Sequence, residues 1–227
     1  MVDIKIILFD VDGTLVDSKK VIIDAANYTL LNLGFKQKKE EEIINHLGFE
    51  VGYLISRLTG SYDPALIIKG VKIFKGYLSE HITADSMLFN GVIETLNYLK
   101  SKEMIITSNG IRKVIERMLN NFKIRKFFKE IISGDEPDCI KPTACPINMV
   151  FDRFKLENRT IGKNRIMIVG DMDIDIKAGK NAGIKTCAVT YGIGKKKDIV
   201  NAKPDFLIDD ISELKNIIKK SNSYWEE

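Results

Sequence analysis

Histidine is nearly missing from this 227-residue chain: only His46 and His81 occur, far apart. A Ser-His-Asp triad needs an imidazole beside its nucleophile, and neither histidine stands in such a motif. The same scarcity disfavours a multi-histidine metal centre. Cysteine is scarce as well. Cys139, Cys145 and Cys187 are odd in number and none is spaced as C-x-x-C. Neither a disulfide framework nor a zinc knuckle is therefore expected, and the three read as buried or idle thiols in a reducing cytosol. No apolar stretch approaches the ~20 residues of a bilayer-crossing helix, and Asp3 falls inside the first apolar run, which argues against a secretory signal. A charge excess of one sign is also lacking. Lys and Arg number 35 against 31 Asp and Glu, a net +4, which gives little support to nucleic-acid binding as the main role. What is present is ordinary globular material, 44% hydrophobic and 29% charged, long enough to bury a core without staples. With imidazole and thiol chemistry set aside, chemistry run by carboxylates remains.

Short continuous apolar runs stand at 5–9, 104–107, 130–133, 165–169, 185–189 and 206–208. Runs of this kind fit strands buried on both faces. Helical patterns separate most of them: Ile111, Ile115, Met118 and Leu119 share one face, Val150, Phe151 and Phe154 another, and Ile211, Leu214, Ile217 and Ile218 a last one. Alternating strand and helix predicts a doubly wound α/β core with a parallel sheet. Residues 18–86 break the rhythm with helical patterns only, around 21–30, 43–47, 54–58 and 67–78, punctuated by Gly48, Gly60 and Pro64. The division expected is a core of 1–17 and 87–227 carrying an all-helical insert of 18–86. The tail from Asn222 to Glu227 is expected to fray.

Four segments carry chemistry. Asp10-Val11-Asp12-Gly13-Thr14-Leu15 leaves the first strand and sets two carboxylates at its C-terminal end, the edge where open α/β sheets bind ligands. Gly13 permits the turn and lets backbone amides face an anion; a strand cap followed by an ordinary Asp-Gly turn would use the same residues. A second acidic group, Gly170-Asp171-Met172-Asp173-Ile174-Asp175, follows the strand at 165–169. Here Asp173 is read as a helix cap and left out of the site. Asp10, Asp12 and Asp171 brought together would raise one another's pKa unless a cation intervened; a hard dication with oxygen ligands answers this, and Mg²⁺ suits a site that keeps waters. Lys141-Pro142 offers the opposite charge as a phosphate clamp ahead of a helix near Thr143. Ser108-Asn109-Gly110 ends another strand and opens a helix, where a hydroxyl and backbone amides form an anion site or, equally, a helix cap.

In this order and spacing, the four segments resemble the motifs of the haloacid dehalogenase-like hydrolases, in the phosphoglycolate phosphatase-like branch with a small helical cap. The resemblance spans nearly the whole chain and implies a Rossmann-like core with a cap domain inserted after the first strand. By position, Asp10 resembles the nucleophile that becomes an aspartyl phosphate, and Asp12 the acid that protonates the leaving oxygen and then the base that activates water. Mg²⁺ would be held by Asp10, the backbone carbonyl of Asp12 and Asp171, with Asp175 in support directly or through water. Ser108, Asn109 and Lys141 resemble the phosphate-binding groups. The connection at 100–104 is shorter than in relatives, which leaves Thr107 or Ser108 facing the phosphate; Ser108 is preferred because Asn109-Gly110 follows it. The cap loop His46-Leu47-Gly48-Phe49-Glu50 holds the residues expected to bear on specificity, His46 and Phe49, and no arginine of the kind the mutase relatives use for a second phosphate. These features imply a cytoplasmic phosphatase of a small phosphorylated metabolite, monomeric or a homodimer, without nucleic-acid or membrane partners. The rivals are a pyrophosphatase or sugar-phosphate mutase on the same machinery, and a non-catalytic phosphate-binding module.

Overall fold

A computed structural model describes residues 3–135 and 139–222. The tail that was expected to fray lies, from 223 on, outside them. In chain order the elements are β1 (Ile6–Phe9), β2 (Val16–Asp17), α1 (Lys19–Asn32), α2 (Glu40–Ile44), α3 (Val51–Thr59), α4 (Pro64–His81), β3 (Met87–Leu88), α5 (Val92–Tyr98) and β4 (Glu103–Thr107). There follow α6 (Arg112–Asn121), β5 (Glu130–Ile132), α7 (Cys145–Leu156), β6 (Ile166–Gly170), α8 (Asp173–Ala182), β7 (Lys185–Val189), α9 (Lys196–Asn201), β8 (Phe206–Ile208) and α10 (Leu214–Asn222).

Six strands form one sheet in the order β5-β4-β1-β6-β7-β8, every neighbouring pair parallel. This is the expected α/β fold. The first strand shows why its sequence reads as an unbroken apolar run. Ile7 and Phe9 join an apolar cluster on one face with α5, α6 and α10, while Ile6 and Leu8 join a second on the other face with α7 and α8. All four side chains are buried, each contributing roughly 1.5–3 kcal/mol relative to exposure. Register then positions the chemistry. Phe9 lies level with Ile106 of β4 and Val169 of β6, so the next residues of all three strands, Asp10, Thr107-Ser108 and Gly170-Asp171, leave the sheet along one edge.

Helices α1 to α4 lie between β2 and β3, which pair antiparallel through Val16–Leu88 and Asp17–Met87. These two-residue strands have no readable signature, because so short a segment shows no periodicity. The apolar core runs on from the sheet into this insert: Val21, Ala25, Leu30, Ile43, Leu54 and Phe74 belong to the same cluster as Phe9.

One expectation is overturned. Cys139 and Cys145 form a disulfide, their Cα atoms 5.1 Å apart, and only Cys187 is the buried free thiol foreseen for all three. The turn through Ile140, Lys141 and Thr143, with a cis Lys141–Pro142 bond and a Thr143 N–H to Ile140 carbonyl bond of 3.0 Å, folds the chain back on itself. A spacing of six residues gives no hint of this, because it depends on the turn between them.

Candidate active site

The Asp10 backbone N–H donates to the Val169 carbonyl at 2.9 Å, extending the ladder one residue past β1. Its carboxylate meets the Lys141 ammonium at 2.9 Å. Lys141 is 1% exposed. Its Nζ also donates to Asp175 Oδ1 at 2.6 Å and to the Thr107 carbonyl at 2.9 Å. A buried ammonium needs such partners. Burial alone would lower its pKa; the charges of Asp10 and Asp175 overturn that and hold Lys141 above its ordinary value.

Asp171 is fully buried and fixed by three donors: the Thr14 hydroxyl at 3.0 Å on Oδ1, and the Ile193 and Gly194 backbone N–H groups at 2.7 and 3.1 Å on Oδ2. Gly13 turns here with φ +79°, and a Cβ added to it would lie 2.2 Å from Asp171 Oδ2. Both the backbone angle and the space demand glycine. Asp175 sits in the first turn of α8 and accepts the Met172 N–H on Oδ2 at 3.0 Å. The capping contact expected of Asp173 is thus made by Asp175, while Asp173 pairs with Lys177 on the exposed side.

One carboxylate oxygen each from Asp10, Asp171 and Asp175 fall within 4.8 Å of one another. At an effective dielectric of about 20, two like charges 4.8 Å apart repel by roughly 3–4 kcal/mol. Burial, then the charges of Asp10 and Asp175, push the Asp171 pKa up to about 8. Burial also raises Asp175, against the pull of Lys141. Once all three carboxylates are ionised, they leave two negative charges beyond the one ammonium, and every donor is an oxygen. A hard dication fits that set. The Asp12 carboxylate stands outside the cluster. It accepts a hydrogen bond from the Ser18 hydroxyl, and burial, helped by the Asp10 charge, raises its pKa to about 6.

Asp10, Asp12, Ser108, Asn109 and Lys141 line one cavity, which His46 and Phe49 border from the helical insert. Thr107 does not line it; its buried hydroxyl has no hydrogen-bond partner among the described residues. Ser108 Oγ accepts the Gly110 N–H at 3.1 Å. The helix it was expected to open, α6, begins only at Arg112, whose N–H donates to Asp135. The Asn109 amide is fully engaged elsewhere. Its Nδ2 donates to the Gly48 carbonyl at 2.6 Å and the Lys141 carbonyl at 2.7 Å, and its Oδ1 accepts the Lys141 N–H at 2.8 Å. Its side chain therefore ties the Lys141 loop and the insert loop to the core. Gly48, φ +91°, passes so close that an added Cβ would sit 2.8 Å from Ile174 Cδ1. Thr14, Ile193, Gly194 and Tyr191, whose hydroxyl donates to the Thr14 carbonyl at 2.8 Å, went unread in the sequence; their only signal was Thr14's place inside the first motif.

A family profile for haloacid dehalogenase-like hydrolases matches residues 7–189. The chain is a haloacid dehalogenase-like hydrolase. A phosphoglycolate phosphatase from Vibrio parahaemolyticus is 30% identical to this hydrolase over 228 residues, covering 96% of this chain and 98% of its own. Pyrophosphatase PpaX from Bacillus mycoides is 27% identical, with 96% and 99% covered. Among solved structures, a predicted phosphoglycolate phosphatase from Haemophilus somnus matches with a TM-score of 0.87 at 27% identity, over 96% of this chain and 99% of that one. These likenesses put the hydrolase on the phosphoglycolate phosphatase-like branch of its family.

Proposed function

We propose that this hydrolase releases phosphate from a small phosphomonoester through an aspartyl-phosphate formed on Asp10. What supports the reading most is the meeting, on one cavity wall, of a strand-end carboxylate, a second carboxyl with a raised pKa, a hydroxyl and a buried ammonium. The Asp10 carboxylate attacks phosphorus while the bond from phosphorus to the ester oxygen breaks. Asp12 gives its proton to that oxygen, and the alcohol departs. Asp12, now ionised, takes a proton from water as the water attacks the acyl phosphate; phosphate leaves and Asp10 is restored. Ser108 holds a phosphoryl oxygen, and Lys141, turning one N–H from its present partners, holds another, since phosphoryl transfer depends mainly on positioning and charge neutralisation. Asp10, Asp171 and Asp175 would hold Mg²⁺, with the Asp12 carbonyl as a further ligand. Bound there, the ion supplies Lewis-acid neutralisation of the phosphoryl charge.

The test is phosphate release from an aryl phosphate, with and without Mg²⁺, by the native protein and by Asp10→Asn. The variant should keep its circular dichroism and lose at least about 10³-fold in turnover. Retained activity in the variant rejects Asp10 as nucleophile. Failure of the native protein to bind Mg²⁺ or to turn over any ester favours a non-catalytic module. Faster release from pyrophosphate than from any monoester selects the activity named for the Bacillus relative.

A further inference from the structure

The Cys139–Cys145 bridge, six residues in span, encloses Lys141. The Lys141 backbone is held by Asn109, and its ammonium reaches Asp10, Asp175 and the Thr107 carbonyl. The place of that buried charge therefore depends on the shape of the turn between the two cysteines. The ends of the turn are unequal. Cys145 opens α7, whose Ile147, Val150 and Phe154 are packed into the apolar cluster on one face of the sheet. Cys139 belongs to no helix or strand. Between them run hydrogen bonds from the Thr143 N–H and hydroxyl to the Ile140 carbonyl, and from the Asn181 amide to the Pro142 carbonyl, each far weaker than a covalent tie. The bridge is what fastens the Cys139 end to the helix.

The two sulfurs also differ in reach. Cys139 is 6% exposed, whereas Cys145 is half-buried at the start of α7. We propose that Cys139–Cys145 is a thiol–disulfide exchange site for a dithiol, and that its state sets the Lys141 ammonium and with it the hold on the phosphoryl group. The second half of this rests on the hydrolytic reading above, in which Lys141 binds that group. In the first step a thiolate of the dithiol attacks Cys145 Sγ. The S–S bond breaks, and its electron pair leaves with Cys139, which takes a proton; Met149 Sδ, 3.5 Å from Cys139 Sγ, is a weak acceptor for it. In the second step the other sulfur of the dithiol attacks the one already joined to Cys145. Cys145 departs with the electron pair, eased by its place in the first turn of a helix, and takes the second proton. Two electrons and two protons have then passed to the protein, and the dithiol is left as a cyclic disulfide. The Cys139 end of the turn is no longer fastened to α7, and Lys141 loses its fixed place among the carboxylates.

The experiment poises the Mg²⁺-loaded protein in mixtures of reduced and oxidised dithiothreitol, below the melting temperature of either form. Free thiols counted in denaturant should rise from one to three on reduction. Calorimetric affinity for inorganic phosphate and kcat/KM for phenyl phosphate should each fall at least about fivefold, and both should recover on reoxidation. Both should track the thiol count on one two-electron curve, which a bridge serving stability alone would not produce. The double variant Cys139→Ser with Cys145→Ser should match the reduced protein and ignore the poise. A response that survives in it would come from Cys187 and overturn the proposal. Equal affinity and rate in oxidised and reduced native protein, with the thiol count confirmed, overturn it too. A redox-dependent phosphate affinity without turnover of any ester would sustain the exchange site and sink the hydrolytic reading instead.

Discussion

Asp12 is the residue whose protonation the proposed chemistry turns on. Its pKa is raised to about 6, so the proton donor is present below that value and lost above it. A bound dication lowers the pKa further, which makes 6 an upper bound for the limb. For an alkyl phosphate, whose poor leaving group needs the proton, log kcat/KM should fall with rising pH above this limb. For a nitrophenyl phosphate the fall should be shallower, since that phenolate departs unaided. Asp12→Asn should flatten the alkyl profile and slow both formation and hydrolysis of the intermediate by about 10²–10⁴-fold. A limb that persists in Asp12→Asn would assign it to another group. At this scale the sequence was informative wherever a residue sat inside a recognisable run: Asp10, Asp12 and Asp171 come to one edge because apolar strands carry them there. It was silent on Ile193 and Gly194, whose backbone N–H groups hold Asp171 across 22 and 23 residues, because any residue type supplies such a donor. Asn109 was legible as a site residue, but what its amide binds was not, since that depends on where two distant loops arrive.

At the scale of elements, the turn after β1 is the tightest constraint. Gly13 combines a positive φ with contact against a buried carboxylate. Gly13→Ala pays for left-handed backbone with roughly 1–2 kcal/mol and must in addition displace Asp171 from its donors. We expect a loss of roughly 2–4 kcal/mol in urea denaturation, with weaker Mg²⁺ binding; native stability and native Mg²⁺ affinity in the variant would contradict the packing described for the turn. The parallel sheet was readable because each strand is apolar on both faces. The β2–β3 ribbon and the Cys139–Cys145 bridge were not, one being too short for a pattern and the other resting on a turn whose shape composition does not announce.

Across the whole molecule, the buried acids couple folding to pH and, on the proposed function, to Mg²⁺. The folded pKa of Asp171 is raised from 3.8 to about 8. A carboxyl of this kind leaves stability intact below its unfolded value and erodes it as pH rises through the folded value. Asp12 and Asp175 are shifted in the same direction. The metal-free protein should therefore melt at progressively lower temperature between about pH 4 and pH 8. Saturating Mg²⁺ should flatten that slope, with its largest stabilisation at the alkaline end. A scan of melting temperature against pH in chelator and in Mg²⁺ decides this; parallel curves would mean that the acids are neutralised without an ion.

The chain passes between the helices of 19–81 and the sheet at β2 and β3, and besides the shared apolar packing the two are tied by the Asn109–Gly48 bond and by Lys195 reaching Asn45. Should substrate enter by parting this enclosure from the sheet, both ties break once for each molecule processed. On that route hinge swing caps throughput, and thickening the solvent with sucrose should slow kcat for the fastest substrates while sparing the sluggish ones; a kcat indifferent to viscosity would mean that the insert stays shut.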